Sequence, residues 1–401
     1  MAEAPVLIVG AGIVGLTLGQ ALKKRGIPFE IYERDATPDA RGQGWAITLH
    51  WALQYIQQIL PEDALERIRA VQVDPEVARH DNGNFLFINL ETGEPKFKIP
   101  PNRRWRVNRE KVRRALLEGI EGHVHWNRRV VGAGVAGDQA ELVFEDKTRV
   151  PGRLVVGVEG GRSAIRQTLR PDAYENKPLP IRFTGVAVNL KPAEIKPLRD
   201  MDPLLFQGCH PPTGTFLWFS TLETPEANGT QGTDAERFRA QICMSWPVRG
   251  AEDEVPPTDE ARLANMKRRA TGFVPFLKTA VGSIPDGTPV TEIKLADWEC
   301  LDWDNRDGRI TLAGDAAHAM TMYRGEAANH GLLDAFHLVS AIERMFQGEI
   351  PQKEAVDGYE KELRERTRRA VLLSRQACYD AHRWEDLNEN CAVLSKRAII
   401  K

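Results

Sequence analysis

The stretch PVLIVGAGIVGLTLGQALKKRGIPFEIYER, residues 5–34, decides the fold class. PVLIVG is a continuous apolar run, the pattern of a strand in a parallel sheet covered on both faces. IVGLTLGQALKKRG is amphipathic at helical spacing and closes on Gly26, and FEIYER is the next strand. Between strand and helix stand Gly10, Gly12 and Gly15, spaced as GxGxxG. Glycines so placed permit a tight turn, let the backbone approach a pyrophosphate and bring the helix close to the strand, while the helix N-terminus faces the phosphates. Glu33 ends the second strand about 20 residues on, where an acid reaches a ribose hydroxyl, and Arg34 beside it is a further cofactor-binding candidate. The unit predicts dinucleotide binding, and NAD and FAD share the motif.

Working outward, the chain is long enough for two or more domains at 401 residues. With 42% hydrophobic and 27% charged residues it has the composition of a globular protein with a sizeable core. A net charge of −2 gives no electrostatic reason to expect nucleic acid or an anionic membrane. No apolar run reaches the ~18 residues of a membrane span. A first strand starting within a few residues of Met1 leaves no room for a signal peptide. The five cysteines are scattered and form no CxxC, which points to a reducing, cytoplasmic setting.

Residues 76–99 contain two turn signals between short strand-like runs and read as an antiparallel meander. NREKVRRALLEG (108–119) reads as a helix, and the segments to 150 as strands with a hairpin. GRLVVGVEGGRSAIRQTL (152–169) is an apolar strand ending in glycines and entering a helix with Ser163 near its start. Residues 181–248 are strand-rich. GRITLAGDAAHAMTMYRGEAANHGLLDAF (308–336) is a second strand, Gly-rich turn and helix, and helical periodicity covers 327–346 and 351–382. Nucleotide-type and antiparallel segments thus alternate along the chain, unlike a simple dehydrogenase, whose two halves follow one another.

The ordered trio of the N-terminal fingerprint, GVEGGRSAIR and RITLAGDAAHAM with RGEAANHGLLDA resembles the group A flavin monooxygenases, the para-hydroxybenzoate hydroxylase family and its fungal secondary-metabolism relatives. The resemblance covers most of the chain. It implies an α/β fold with a Rossmann-like FAD-binding domain (1–75, 100–178 and 291–345), interleaved with an antiparallel-β substrate domain (76–99 and 179–290) and followed by a C-terminal helical segment (346–401). It implies FAD, with NADPH or NADH as co-substrate, because one junction would hold the ADP end and the distant one the ribityl and flavin end. Gly314-Asp315 would then receive a ribityl hydroxyl. The helix start at Gly325, Ala327, Ala328 and Asn329, with free N–H groups out to His330, would meet the flavin's pyrimidine edge. Arg109 matches an FAD-contacting arginine, the alternative being a solvated helix charge. Three departures stand out. The family's Asp-Gly is Glu159-Gly160, a segment tied to FAD and nicotinamide binding; a proline near the oxygen site is Met322; and a loop glycine is Ala327.

The resemblance further implies hydroxylation or epoxidation of an aromatic, indole or polyketide-type small molecule through a flavin C4a-hydroperoxide. A flavin dehydrogenase, or a cyclase or isomerase using FAD as a scaffold, are the alternatives. Phe183, Phe206, Phe216, Trp218 and Trp246 on the 181–248 strands suggest an aromatic-walled substrate pocket, with Arg182 and His210 as polar candidates; the alternative is that the aromatics form core. His318, His330 and His337 lie close in sequence, but no cysteine or carboxylate stands at ligand spacing, so no metal is predicted. His318 is read as a hydrogen bonder that fixes its turn.

Overall fold

The computed structural model describes residues 3–40, 45–101 and 103–398, so both outer limits of the domain ranges above lie outside the described residues. Its first half is built on a five-stranded parallel sheet in the order Ile310–Leu312, Leu154–Gly157, Val6–Val9, Phe29–Tyr32, Val124–His125. Three strands distant in sequence therefore end side by side, and each runs into one of the glycine-bearing turns. The central strand Val6–Val9 is buried on both faces, as its unbroken apolar run requires.

The second sheet has seven strands in the order Thr291–Glu292, Ile181–Leu190, Phe238–Pro247, Thr215–Glu223, Leu205–His210, Leu86–Asn89, Pro95–Lys98. It is mixed rather than purely antiparallel, because Leu86–Asn89 pairs parallel with Leu205–His210. The expected meander over 76–99 is accordingly a single hairpin, preceded by a short helix at Pro75–Ala78. Thr291–Glu292, expected in the nucleotide unit, is an edge strand of this sheet. Successive side chains on a strand face opposite sides. Phe206, Leu217, Phe219, Ile242, Met244 and Trp246 pack on the face covered by helices Asp259–Arg269 and Pro275–Gly282. Phe183, Phe216 and Cys243 turn to the other face.

The C-terminal segment, expected as a unit of its own, is a strut between the halves. Helix Gln352–Asp380 buries Val356, Tyr359 and Leu363 in the core of the parallel sheet, and Ala377 and Cys378 against the large sheet. Ala46–Leu49 and Trp105–Asn108 form a separate antiparallel pair.

Two fingerprint glycines have different physical reasons. A Cβ on Gly15 would lie 2.1 Å from the Gly10 carbonyl oxygen, whereas a Cβ on Gly12 would meet nothing within 4 Å. Gly15→Ala should therefore destabilise the protein by about 1–3 kcal/mol, the cost of overpacking. Gly12, at φ −80° and ψ −178°, occupies backbone space open to any residue. Gly12→Ala should unfold like the parent yet bind FAD more weakly, because its methyl projects where a pyrophosphate must approach. Thermal unfolding of the cofactor-free variants, followed by FAD titration, checks both.

Candidate functional site

The turn after Val6–Val9 is clamped from both sides. The Glu33 carboxylate accepts from the Ala11 N–H at 2.8 Å and from the Asp35 N–H at 3.1 Å. The Arg113 Nε donates to the Ala11 carbonyl at 2.8 Å. Arg113 is a residue the motif reading missed, since a helical arginine carries no mark of what it faces. Helix Ile13–Lys24 then starts with no side-chain cap and no acid in its first turn, so its N–H groups keep their anion-attracting character. These elements open on a cleft of about 500 Å³ at the ends of the parallel strands.

The cleft brings together Gly10, Gly12, Glu33, Arg34, Arg109, Glu159, Gly314, Asp315, Ala327 and Ala328. Arg128 and Arg129 also line it, and nothing in their sequence context announced them. Gly15 does not; it lies beneath, in contact with Gly10. Asp315 turns an accessible side chain into the cleft. Surrounding protein nevertheless desolvates that carboxyl and raises its pKa.

Asp315 is aimed by its neighbours. Gly314 sits at φ 59° and ψ −147°, a conformation that favours glycine. Its N–H donates to the Asp334 carboxylate at 2.7 Å. The same fully buried carboxylate pairs with His318 Nε2 at 2.6 Å and Arg366 Nη2 at 2.7 Å. Arg366 continues to His330 Nδ1 at 2.9 Å. Asp334 is thus the partner that the histidine spacing did not reveal. His318 and Arg366 hold its pKa well below the usual carboxylate range, against the desolvation that opposes them.

One expectation for the late helix is corrected. The Gly325 N–H is engaged by the Met322 carbonyl and the His330 N–H by the Glu326 carbonyl, so the N–H groups without an intrahelical partner run from Glu326 to Asn329. The Asn329 N–H stays within the expected set, while its side chain ties the helix start to the neighbouring strand: its Oδ1 accepts from the His50 N–H at 2.9 Å and its Nδ2 donates to the Thr48 carbonyl at 2.9 Å.

Glu159 caps the helix Ala164–Leu169, its Oε1 accepting from the Ile165 N–H at 2.9 Å, while its Oε2 is buried without a hydrogen-bond partner among the described residues. Burial raises its pKa. Arg166, buried beneath the same turn, donates to the Ala316 carbonyl at 3.2 Å and to Asn176 Oδ1 at 2.7 Å. It also stacks over Trp298 and so ties the middle and late junctions together.

A second cavity of about 200 Å³ lies against the large sheet, walled by Trp45, Phe183, Phe216, Trp218, Met322 and Tyr323, with Gly325 at its edge. Ile47, Ala327 and Ala328 line both cavities, so the two spaces adjoin at the start of the late helix. The other four substrate-contact candidates lie elsewhere, and three of them share a cause. Phe206 and Trp246 face the helical layer because strand alternation turns them away from the cavity. His210, on that face too, contacts Phe273 and hydrogen-bonds Thr213. Arg182 is committed to Glu254 at 2.7 Å.

The pair of cavities fits an elongated dinucleotide. Two uncapped helix starts face the cleft, the carboxylates of Glu33 and Asp315 line it, and the Gly12 position leaves room for close backbone approach. Comparison with known proteins agrees. Residues 3–374 match the family model described as FAD binding domain. The FAD-dependent monooxygenase dbaB of Emericella nidulans is 45% identical over 82% of this chain and 84% of its own. The FAD-dependent monooxygenase phnB of Penicillium herquei is 30% identical over 96% and 93%. Among solved structures, Klebsiella pneumoniae HpxO complexed with FAD and uric acid superposes with a TM-score of 0.73 at 19% identity, over 94% of this chain and 89% of that one. The 2,6-dihydroxypyridine-3-hydroxylase of Arthrobacter nicotinovorans superposes with a TM-score of 0.74 at 17% identity, over 100% and 98%. Among the described residues, no His, Cys, Asp and Glu cluster is placed to hold a metal and no helix is long and apolar enough to cross a membrane.

The two aspartates should separate in experiment. Asp334→Asn leaves Arg366 and His318 buried without their counter-charge and should cost about 3–5 kcal/mol in urea denaturation. Because the folded-state pKa of Asp334 is depressed, its stabilisation is complete above the unfolded carboxylate value of about 3.9 and is lost as pH falls toward the folded value. The gap between parent and Asp334→Asn should therefore be full at neutral pH and narrow below about pH 4. Asp315→Ala should unfold much like the parent, yet lose about 1–3 kcal/mol of FAD affinity in a fluorescence titration, the worth of one hydrogen bond to a charged group.

Proposed function

The chain belongs to the FAD-dependent monooxygenases, and from that premise we propose that it uses NADPH or NADH and dioxygen to hydroxylate or epoxidise an aromatic, indole or polyketide-type small molecule. The observation that carries this reading is the wall of Ile47, Ala327 and Ala328 shared by the long cleft and the aromatic cavity. A cofactor lying along the first would bring its far end to whatever occupies the second.

FAD supplies the electron transfer and oxygen activation, and the protein supplies binding, orientation and electrostatics. Glu33 and Asp315 would accept hydrogen bonds from hydroxyls of the cofactor's two sugar-like segments, with Glu33 simultaneously holding the fingerprint turn through Ala11. The first-turn N–H groups of the helix Ala327–Phe346 stabilise negative charge developing beside them, since no acid in that turn neutralises the positive helix end. Aromatic walls exclude water and hold a planar substrate. Glu159, where the family has an aspartate, holds the 159–165 turn through the Ile165 N–H, beside the path we assign to the incoming nicotinamide. We place the reaction in a reducing compartment, the cytoplasm, since all five cysteines are free.

Turnover under heavy-isotope dioxygen tests the proposal. One labelled oxygen atom should enter the product for each NADPH or NADH oxidised, and product formation should stop without oxygen. Conversion that proceeds equally well without oxygen or nicotinamide overturns it in favour of a cyclase or isomerase. Nicotinamide-dependent turnover with no label in the product points to a dehydrogenase.

A further inference from the structure

We propose that Arg106 is the anion-binding residue of the aromatic cavity, so that the substrate presents an anionic oxygen, a ring carboxylate or an ionised phenol, to its guanidinium. This rests on reading that cavity as the substrate site.

Arg106 lies on the strand Trp105–Asn108, paired in register with Thr48, and is 4% exposed. It lines the aromatic cavity and not the FAD cleft, so the cofactor's phosphates are not its counter-charge. A guanidinium has five N–H groups. Here Nη1 donates to Thr48 Oγ1 at 2.9 Å and Nη2 to Ser220 Oγ at 2.6 Å, both neutral acceptors. Its Nε is buried with no partner among the described residues. Trp218 lies 5.7 Å from the guanidinium carbon, a weak π contact.

Buried charges are ordinarily paired, and two of the surrounding arginines obey that rule. Arg104 bridges Asp81 at 2.8 Å and Arg324 bridges Glu326 at 2.6 Å. Arg106 has no such acid among the described residues. The charged neighbour acting on it is Arg104, and that repulsion joins burial in pushing its pKa down to about 9. Arg104, Arg324 and Arg397 line the small adjoining cavity, and neither cavity has an aspartate or glutamate in its wall. His50 reports the same positive field: burial first, then Arg397, Arg324 and Arg104, drive its pKa down to about 3. The rest of the lining is the aromatic wall already described together with Thr48, Gln241, Cys243 and aliphatic residues. Apolar cavities of about 150 Å³ hold a benzene ring, so about 200 Å³ suits one substituted ring. An anionic substituent fixed on Arg106 would set which ring carbon faces the wall shared with the cofactor cleft.

The test is binding to the FAD-loaded protein, followed by calorimetry and by perturbation of the flavin spectrum. Benzoate is compared with benzamide, and 4-nitrophenol with nitrobenzene, in the parent, Arg106→Met and Arg106→Lys. The parent should bind at least one anion ten-fold or more tighter than its neutral partner. A benzoate preference identifies a carboxylate, and a lowered ionisation midpoint of bound 4-nitrophenol identifies a phenolate. Arg106→Met should abolish the preference while keeping affinity for the neutral probe, and Arg106→Lys should restore part of it. Arg106→Met should melt no lower than the parent, since it removes an uncompensated buried charge. Should Arg106→Met fail to fold, the parent's own selectivity and its weakening in Arg106→Lys decide the matter. No preference in the parent, no binding of either anion, or a preference that survives in Arg106→Met overturns the proposal. None of these measurements needs turnover, so they stand apart from the fate of the isotope experiment.

Discussion

The buried carboxylate of Asp334 is the point on which the late half of the cofactor cleft is built. It gathers three charged or polar donors from three places: the Gly314 N–H at a strand end, His318 four residues on, and Arg366 on the C-terminal strut. A carboxylate with no access to water is stable only when so many donors converge on it. The same convergence holds Gly314 in a conformation that other residues resist, and Asp315 is consequently aimed into the cleft. The long helix Gln352–Asp380 thereby acquires a second task besides packing. By delivering Arg366 it completes a network that positions a residue more than fifty positions earlier.

Charge is handled differently around the two cavities. In the FAD cleft, acids, arginines and helix starts face the open space together, the arrangement suited to hydroxyls and phosphates. Beneath the middle junction Arg166 donates through its two Nη atoms to carbonyls and an amide and acts as a cross-link. In the wall of the aromatic cavity Arg106 is the charged member among the described residues, and it meets only hydroxyl oxygens in the bonds described. The second arrangement is internal to the protein. The third has the character of a receptor, since a desolvated cation interacts more strongly with an incoming anion than a hydrated one does.

Much of the nucleotide half was legible in the chain because its signals are local. GxGxxG, Gly314-Asp315 and the apolar strands before them each state a turn and its approach distance within about ten residues. The order of the three segments further implied that they meet, and they do, along adjacent parallel strands. Asp334 and Arg113 escaped notice since a buried charge and a solvated one look alike in sequence; only the elements packed against them tell the two apart.

For the large sheet, strand alternation places Phe216 and Trp218 on one face and Leu217 and Phe219 on the other. Alternation has no sign, however, and a strand carrying aromatics on both faces offers no local clue to which face meets a cavity. Packing of the helices Asp259–Arg269 and Pro275–Gly282 on one side decided that Phe206 and Trp246 are core, and left Phe183, Phe216 and Trp218 for the cavity. The sequence by itself determined the dinucleotide turns, the interleaving of two sheets and the family. Which face became the pocket, and which arginine was left without an acid, were decided by tertiary packing, because both depend on what arrives from distant parts of the chain.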